Sequence, residues 1–106
     1  MKFTENPYYN PKECGLEIFD EVETGGSYEF DTLVIFKKLD DNTLWYAQDS
    51  GCSCPTPFES FNSLASLKSI TLDTFHGFDE ALKNHYNIEI NKYIEVKEKV
   101  KNYLSL

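Results

Sequence analysis

The stretch GLEIFDEVETGGSYEFDTLVIFKKLDDNTLWYAQ, residues 15–48, decides the fold. Residues 15–23 alternate well enough for a strand, with Leu16, Ile18 and Val22 expected on one face and Glu17, Phe19, Glu21 and Glu23 on the other. Thr24-Gly25-Gly26-Ser27 signals a turn, because paired glycines reach positive φ without steric cost. Residues 28–39 form the strongest strand: Tyr28, Phe30, Val34 and Phe36 share one face, and Leu33 and Ile35 lie on the other. Apolar residues on both faces mark a central strand. Asp40-Asp41-Asn42 predicts a second turn, and residues 43–48 a third strand with Leu44 and Tyr46 opposite Trp45 and Ala47. The sum is a three-stranded antiparallel meander.

Downstream the hydrophobic period changes. Leu64, Leu67 and Ile70 read as a connector containing one helical turn. Leu72, Phe75, Phe78, Leu82 and Tyr86 then recur at helical spacing, with Thr71 or Thr74 available as a cap and Gly77 weakening the first turn. Asn87 and Asn91 separate this helix from a last one, whose stripe is Tyr93, Val96, Val100, Tyr103 and Leu104 and whose Glu95 is spaced to meet Lys99. Strands followed by helices is the order of an α+β fold, here with two C-terminal helices packed on one face of the sheet. Upstream, Asn6-Pro7-Tyr8-Tyr9-Asn10-Pro11 predicts an extended arm whose tyrosines lie on the surface or over a sheet edge. The chain of 106 residues reads as one domain: arm 1–14, sheet 15–50, Cys/Pro loop 51–60 and helical part 61–106.

Residues 49–59, DSGCSCPTPFE, concentrate the unusual chemistry. Asp49, Cys52, Cys54, Pro55, Pro57 and Glu59 are candidates for a structural loop, with Asp49 and Ser50 ordering it through bonds to backbone N–H groups. Cys52 and Cys54 could serve zinc together with Cys14 and His76 or His85, but paired zinc cysteines are usually separated by about two to four residues, and small half-buried packing residues are the simpler reading. A nucleophilic thiol would need a base and a lowered pKa, whereas Asp49 and Glu59 push the other way. A Cys52–Cys54 disulfide would close a strained ring; Cys14 could reach either, yet an odd number of cysteines fits free thiols in a reducing compartment. The acid pairs Asp20/Glu21, Asp40/Asp41 and Asp79/Glu80 read as solvated turns, not as a catalytic cleft. Trp45, Tyr46 and Phe58 read as core under the helices before an exposed recognition patch. No catalytic residue, metal or cofactor is therefore expected.

The charge is unevenly divided. Residues 1–60 carry twelve acids against four lysines, residues 61–106 six against six, and there is no arginine. Without the forked cation suited to phosphate and guanine, and with a net charge of -8, direct nucleic-acid binding is not expected. An acidic face instead suits a basic protein surface, or simply keeps a small protein dissolved. No apolar run approaches the roughly 18 residues of a membrane span, and Met1-Lys2-Phe3-Thr4-Glu5-Asn6-Pro7 lacks the apolar core of a signal peptide, so a cytoplasmic location is expected.

Tyr9-Asn10-Pro11, Gly15-Leu16-Glu17-Ile18, the set Tyr28, Phe30 and Asp31, Leu44-Trp45-Tyr46-Ala47 and the segment of residues 49–59 together resemble a family of small proteins of unknown function encoded by tailed bacteriophages. The resemblance spans about the first 60 residues and is most specific in Cys-Ser-Cys-Pro-x-Pro-Phe-Glu. It implies a phage or prophage origin and expression inside a bacterium, and it supplies no catalytic residues. The expected function is that of a non-enzymatic accessory protein that binds and modulates a host protein, such as a defence component. Its acidic face would comprise Glu17, Glu21, Glu23, Glu29, Asp40 and Asp41, with Tyr8 and Tyr9 as aromatic contacts. The alternatives are a structural or assembly module, including a homodimer, and, further off, a zinc or thiol enzyme.

Overall fold

The computed structural model describes residues 2–52 and 56–106. It is an α+β domain with one antiparallel sheet of four strands in the order β1-β2-β3-β4, and two helices. The strands are β1 (Leu16–Glu23), β2 (Glu29–Lys38), β3 (Leu44–Cys52) and β4 (Lys68–Ile70); the helices are α1 (Phe75–Lys83) and α2 (Ile90–Leu104).

Four strands replace the expected three. The addition comes from the segment 61–106 assigned to helices, where Leu44, Trp45 and Tyr46 of β3 pair with Ile70, Ser69 and Lys68. The three-residue spacing of Leu64, Leu67 and Ile70 suggested one helical turn, but the 3-10 turn stops at Ser66 and the chain then extends. Leu67 and Ile70 thereby bury themselves on opposite faces of the sheet.

β2 is the centre of the molecule. Leu33, Val34, Ile35 and Phe36 are all buried without accessible surface, and alternation sends Leu33 and Ile35 to one face and Val34 and Phe36 to the other. The first face takes both helices through Phe78, Leu82, Val96 and Val100. The second is closed by the arm and the loop after β3, through Phe3, Tyr8, Cys14, Phe58, Phe61 and Leu67. The chain thus builds three layers where a two-layer reading would have left one side of the sheet bare.

β1 departs from simple alternation. Its register against β2 slips between Ile18 and Asp20, a bulge that leaves Phe19 as the extra residue. The slip reverses the faces of all that follows: Leu16 packs in the second layer, while Phe19 and Val22 join the helix side. The expected grouping of Leu16, Ile18 and Val22 on one face is therefore corrected. α2 clamps the bulge, with Lys99 Nζ donating to the Phe19 carbonyl at 2.9 Å and the Tyr103 ring edge-on to Phe19 at 5.1 Å.

α1 is shorter than the spacing implied, whereas α2 starts earlier, at Ile90. Thr74 is the N-cap of α1, so Leu72 lies before it and is 74% exposed, and Tyr86 lies beyond its end. Asn87 breaks the chain with φ 56°, whereas Asn91 sits inside α2 instead of between the helices. Gly15 takes φ 74° to turn the arm into β1, a conformation that needs no Cβ. Among the described residues no helix is long and apolar enough to cross a membrane.

Phe58 is the plug of the second layer. It is fully buried, lies against Tyr8 and Phe61, and holds φ 63° although it is not glycine. That unfavourable backbone is held by the Asp49 carboxylate, which accepts the Phe58 N–H at 2.8 Å, and by Asn6, whose amide donates to the Pro57 carbonyl at 2.8 Å. Phe58→Ala is expected to cost about 3–5 kcal/mol in a urea titration, as for a large core aromatic; a loss under about 1 kcal/mol would mean the layer does not close on it.

Candidate functional site

The six acids proposed as one face are divided by the fold. Glu17 is paired with Lys37 at 2.9 Å, and Lys38 bridges Asp40 at 2.7 Å and Asp41 at 3.4 Å, all at the end of the sheet where β1 begins. Asp41 also accepts the Thr43 hydroxyl and N–H, and these bonds with nearby Lys38 hold its carboxyl below the usual range. Glu21 accepts the Tyr8 hydroxyl at 2.8 Å on the second-layer face. Burial, then that bond and the charges of Glu21 and Glu23, push the Tyr8 phenol well above its ordinary pKa. Tyr8 is thus a packing residue, while Tyr9 stays exposed and meets Tyr8 edge-on. Glu23 and Glu29 lie at the opposite end of the sheet.

That opposite end is the most distinctive surface of the molecule. There the β1–β2 turn, the start of β2 and the α1–α2 turn meet. One depression of about 390 Å³ is lined by Gly25, Glu29, Phe30, Asp31, Gly51 and Tyr86. A second of about 400 Å³ runs between Glu23 and Thr24 on one side and Asn87, Ile88, Glu89 and Lys92 on the other. Tyr28 is 82% exposed and Tyr86 63% exposed, which is unusual for large aromatics. Glu29 and Asp31 line the first depression with Tyr86, and Glu23 and Glu89 line the second with Lys92, whose ammonium already faces Asp20 and Glu95.

Internal bonds shape this end. The Glu23 carboxylate accepts the Thr32 hydroxyl and the N–H groups of Gly25 and Asp31, stapling the hairpin. Gly25 is required there, because a Cβ would stand 2.5 Å from the Glu29 carbonyl. Beneath lies His85, buried, with Nε2 3.0 Å from the Asp31 carbonyl and Nδ1 3.2 Å from the Gln48 amide nitrogen. A carbonyl only accepts, so Nε2 carries the proton and Nδ1 accepts from Gln48.

In the remaining loop candidates, Asp49 binds the N–H groups of Ser50 and Phe58, Pro57 is tied to Asn6, and Glu59 is exposed. Cys52 ends β3 as an exposed free thiol; Cys54 and Pro55 lie outside the described residues. Cys14 is a buried free thiol donating to the Glu5 carbonyl at 3.3 Å, and burial raises its pKa, which suits packing better than nucleophilic attack. Among the described residues no three His, Cys, Asp or Glu side chains are placed to hold a metal ion.

Sequence reasoning missed Asp31, Tyr28, Tyr86 and Glu89. Tyr28 had been placed on a strand face and Tyr86 in a helix stripe, and both lie just outside those elements. A short α+β domain with an acidic, tyrosine-bearing sheet end is the class these features define. The chain belongs to a family described as Domain of unknown function (DUF7574), matched over residues 5–105. No curated protein and no solved structure matches it.

Glu23 yields a pH prediction. Burial alone would raise its pKa, but the bonds from Thr32, Gly25 and Asp31, with His85 nearby, outweigh that and hold it below the ordinary value. A depressed carboxyl stabilises the fold above its unfolded value, near pH 4.3, and the contribution disappears as pH falls through the folded value. Glu23→Gln should therefore unfold at lower urea than the parent at pH 7, and the gap should be smaller at about pH 3. A gap of equal size at both pH values would show that the carboxylate charge is not what staples the hairpin.

Proposed function

We propose that this protein is a non-enzymatic accessory protein of bacteriophage origin that binds a basic surface of a host protein in the bacterial cytoplasm and alters its activity. The observation that carries the reading is the exposure of Tyr86 beside Glu29 and Asp31, with Tyr28 exposed in the turn that precedes β2. Tyrosines supply large rigid contact area, and surrounding carboxylates steer a cationic partner and select against others. The binding end differs from the full set of six acids. Glu23 and Glu29 take part directly, and Glu17, Asp40 and Asp41, already paired with lysines, add to the long-range field. The phage origin rests on the resemblance of residues 1–60, above all the Cys-Ser-Cys-Pro segment.

A second reading has one observation in its favour. Ile90 and Ile94 are both exposed one turn apart on α2, as a self-associating module would require.

A tagged pull-down from lysate of the bacterial host, at low and high salt, tests the proposal. A single stoichiometric partner lost at high salt is expected, with Tyr86→Ala weakening it about 30-fold and Glu29→Lys at least as much. Charge reversal at Asp40 and Asp41 should change binding far less. Capture that ignores salt and survives both Tyr86→Ala and Glu29→Lys would overturn the proposal; a dimer disrupted by Ile94→Glu would favour the second reading.

A further inference from the structure

We propose that the cleft between β4 and the first turn of α1 is a binding site for a phosphate monoester of nucleotide size. The cleft holds about 560 Å³ and is lined by Tyr46, Lys68, Ser69, Asp73, Thr74, His76 and Gly77. Its volume is within the range of small-molecule sites and far exceeds what a bare phosphate fills.

Three independent features meet there. The first is Tyr46. Its side chain is only 6% exposed, its ring packs edge-on against Phe78, and its hydroxyl has no hydrogen-bond partner among the described residues. The hydroxyl is nevertheless not sealed in, since no buried side-chain oxygen is left without a partner among the described residues. What remains accessible of Tyr46 opens on this cleft and on the adjoining groove, both of which it lines. A phenol whose accessible edge opens on a cleft donates there to an acceptor that displaces water.

The second is the uncapped start of α1. Thr74 occupies the N-cap position, but its hydroxyl donates to the Ser69 carbonyl at 2.8 Å and accepts the Thr71 N–H at 2.8 Å. The first helical bond is Phe78 N–H to the Thr74 carbonyl, so the N–H groups of Phe75, His76 and Gly77 have no acceptor among the described residues. A helix start with free N–H groups attracts an anion, and Gly77 keeps the approach open, with nothing within 4 Å of an added Cβ.

The third is Lys68. It pairs with Tyr46 across β3 and β4, so its side chain leaves the sheet on the same side, and it takes part in no ion pair among the described residues. Asp73 is the one carboxylate on the lining, and it opposes an anion. The phosphate end therefore sits against α1, Lys68 and Tyr46. The body of the ligand has room in the adjoining groove of about 240 Å³, which shares Tyr46 and Lys68 with the cleft.

The test is an amide chemical-shift titration of the full isotope-labelled chain with inorganic phosphate, adenosine monophosphate and adenosine. Saturable shifts at Phe75, His76 and Gly77 are expected with phosphate and, at lower concentration, with adenosine monophosphate. Adenosine should bind at least about tenfold more weakly than its monophosphate. Tyr46→Phe, which keeps the ring packing, and Lys68→Gln should each weaken adenosine monophosphate about three- to tenfold. Asp73→Asn should tighten it, a sign that only an anionic ligand predicts. No saturable shift up to about 10 mM, shifts spread over all the lysines, or weaker binding in Asp73→Asn would each overturn the site.

Discussion

Two-sided burial of β2 is the constraint on which the rest of the structure depends. Four consecutive residues without accessible surface cannot be satisfied by helices alone, because alternation gives two of them to each face. One face recruits α1 and α2, and the other recruits the arm and the loop around Phe58. A chain of this length has a modest core, and it divides its buried apolar side chains between the two faces. The bulge at Phe19 belongs to the same solution: by reversing alternation within β1 it lets one edge strand send Leu16 to the second layer and Val22 to the helices.

Covering both faces displaces the chemistry to the margins. Acids that would have lined an open sheet face are paired with lysines at one end, bonded to Tyr8 under the arm, or gathered around Tyr28 and Tyr86 at the other end. The last group sets Glu29 and Glu89, which form no ion pair among the described residues, near exposed aromatic surface, which is why the binding reading falls there. The cleft at Tyr46 has a related origin. β4 is three residues long and pairs only with the first third of β3, so the sheet edge opens beside α1.

Much of the fold was legible because it follows from period and polarity. The β2 pattern demanded a central strand, the paired glycines and Asp40-Asp41-Asn42 marked the turns, and the Val96–Val100 stripe marked α2. What escaped was set by long-range contact. A bulge has no local signature when both Ile18 and Phe19 are apolar, and a three-residue strand is too short to show alternation. Phe58 gave no warning of a left-handed backbone, since that conformation exists only because Asp49 and Asn6, distant in sequence, hold it. The candidate site was read in part: Glu23 and Glu29 were selected by charge, while Tyr28 was read as a strand residue and Tyr86 as part of a helix stripe, although β2 begins at Glu29 and α1 ends at Lys83.

The measurement that tests this account most directly is native-state hydrogen exchange of the Phe58 amide compared with the amides of residues 33–36. If the second layer is part of the same cooperative unit as β2, Phe58 exchanges only through global unfolding, with the protection of the central strand. Exchange of Phe58 orders of magnitude faster than β2, with the strand still fully protected, would make the arm and loop an appendage and contradict the three-layer account.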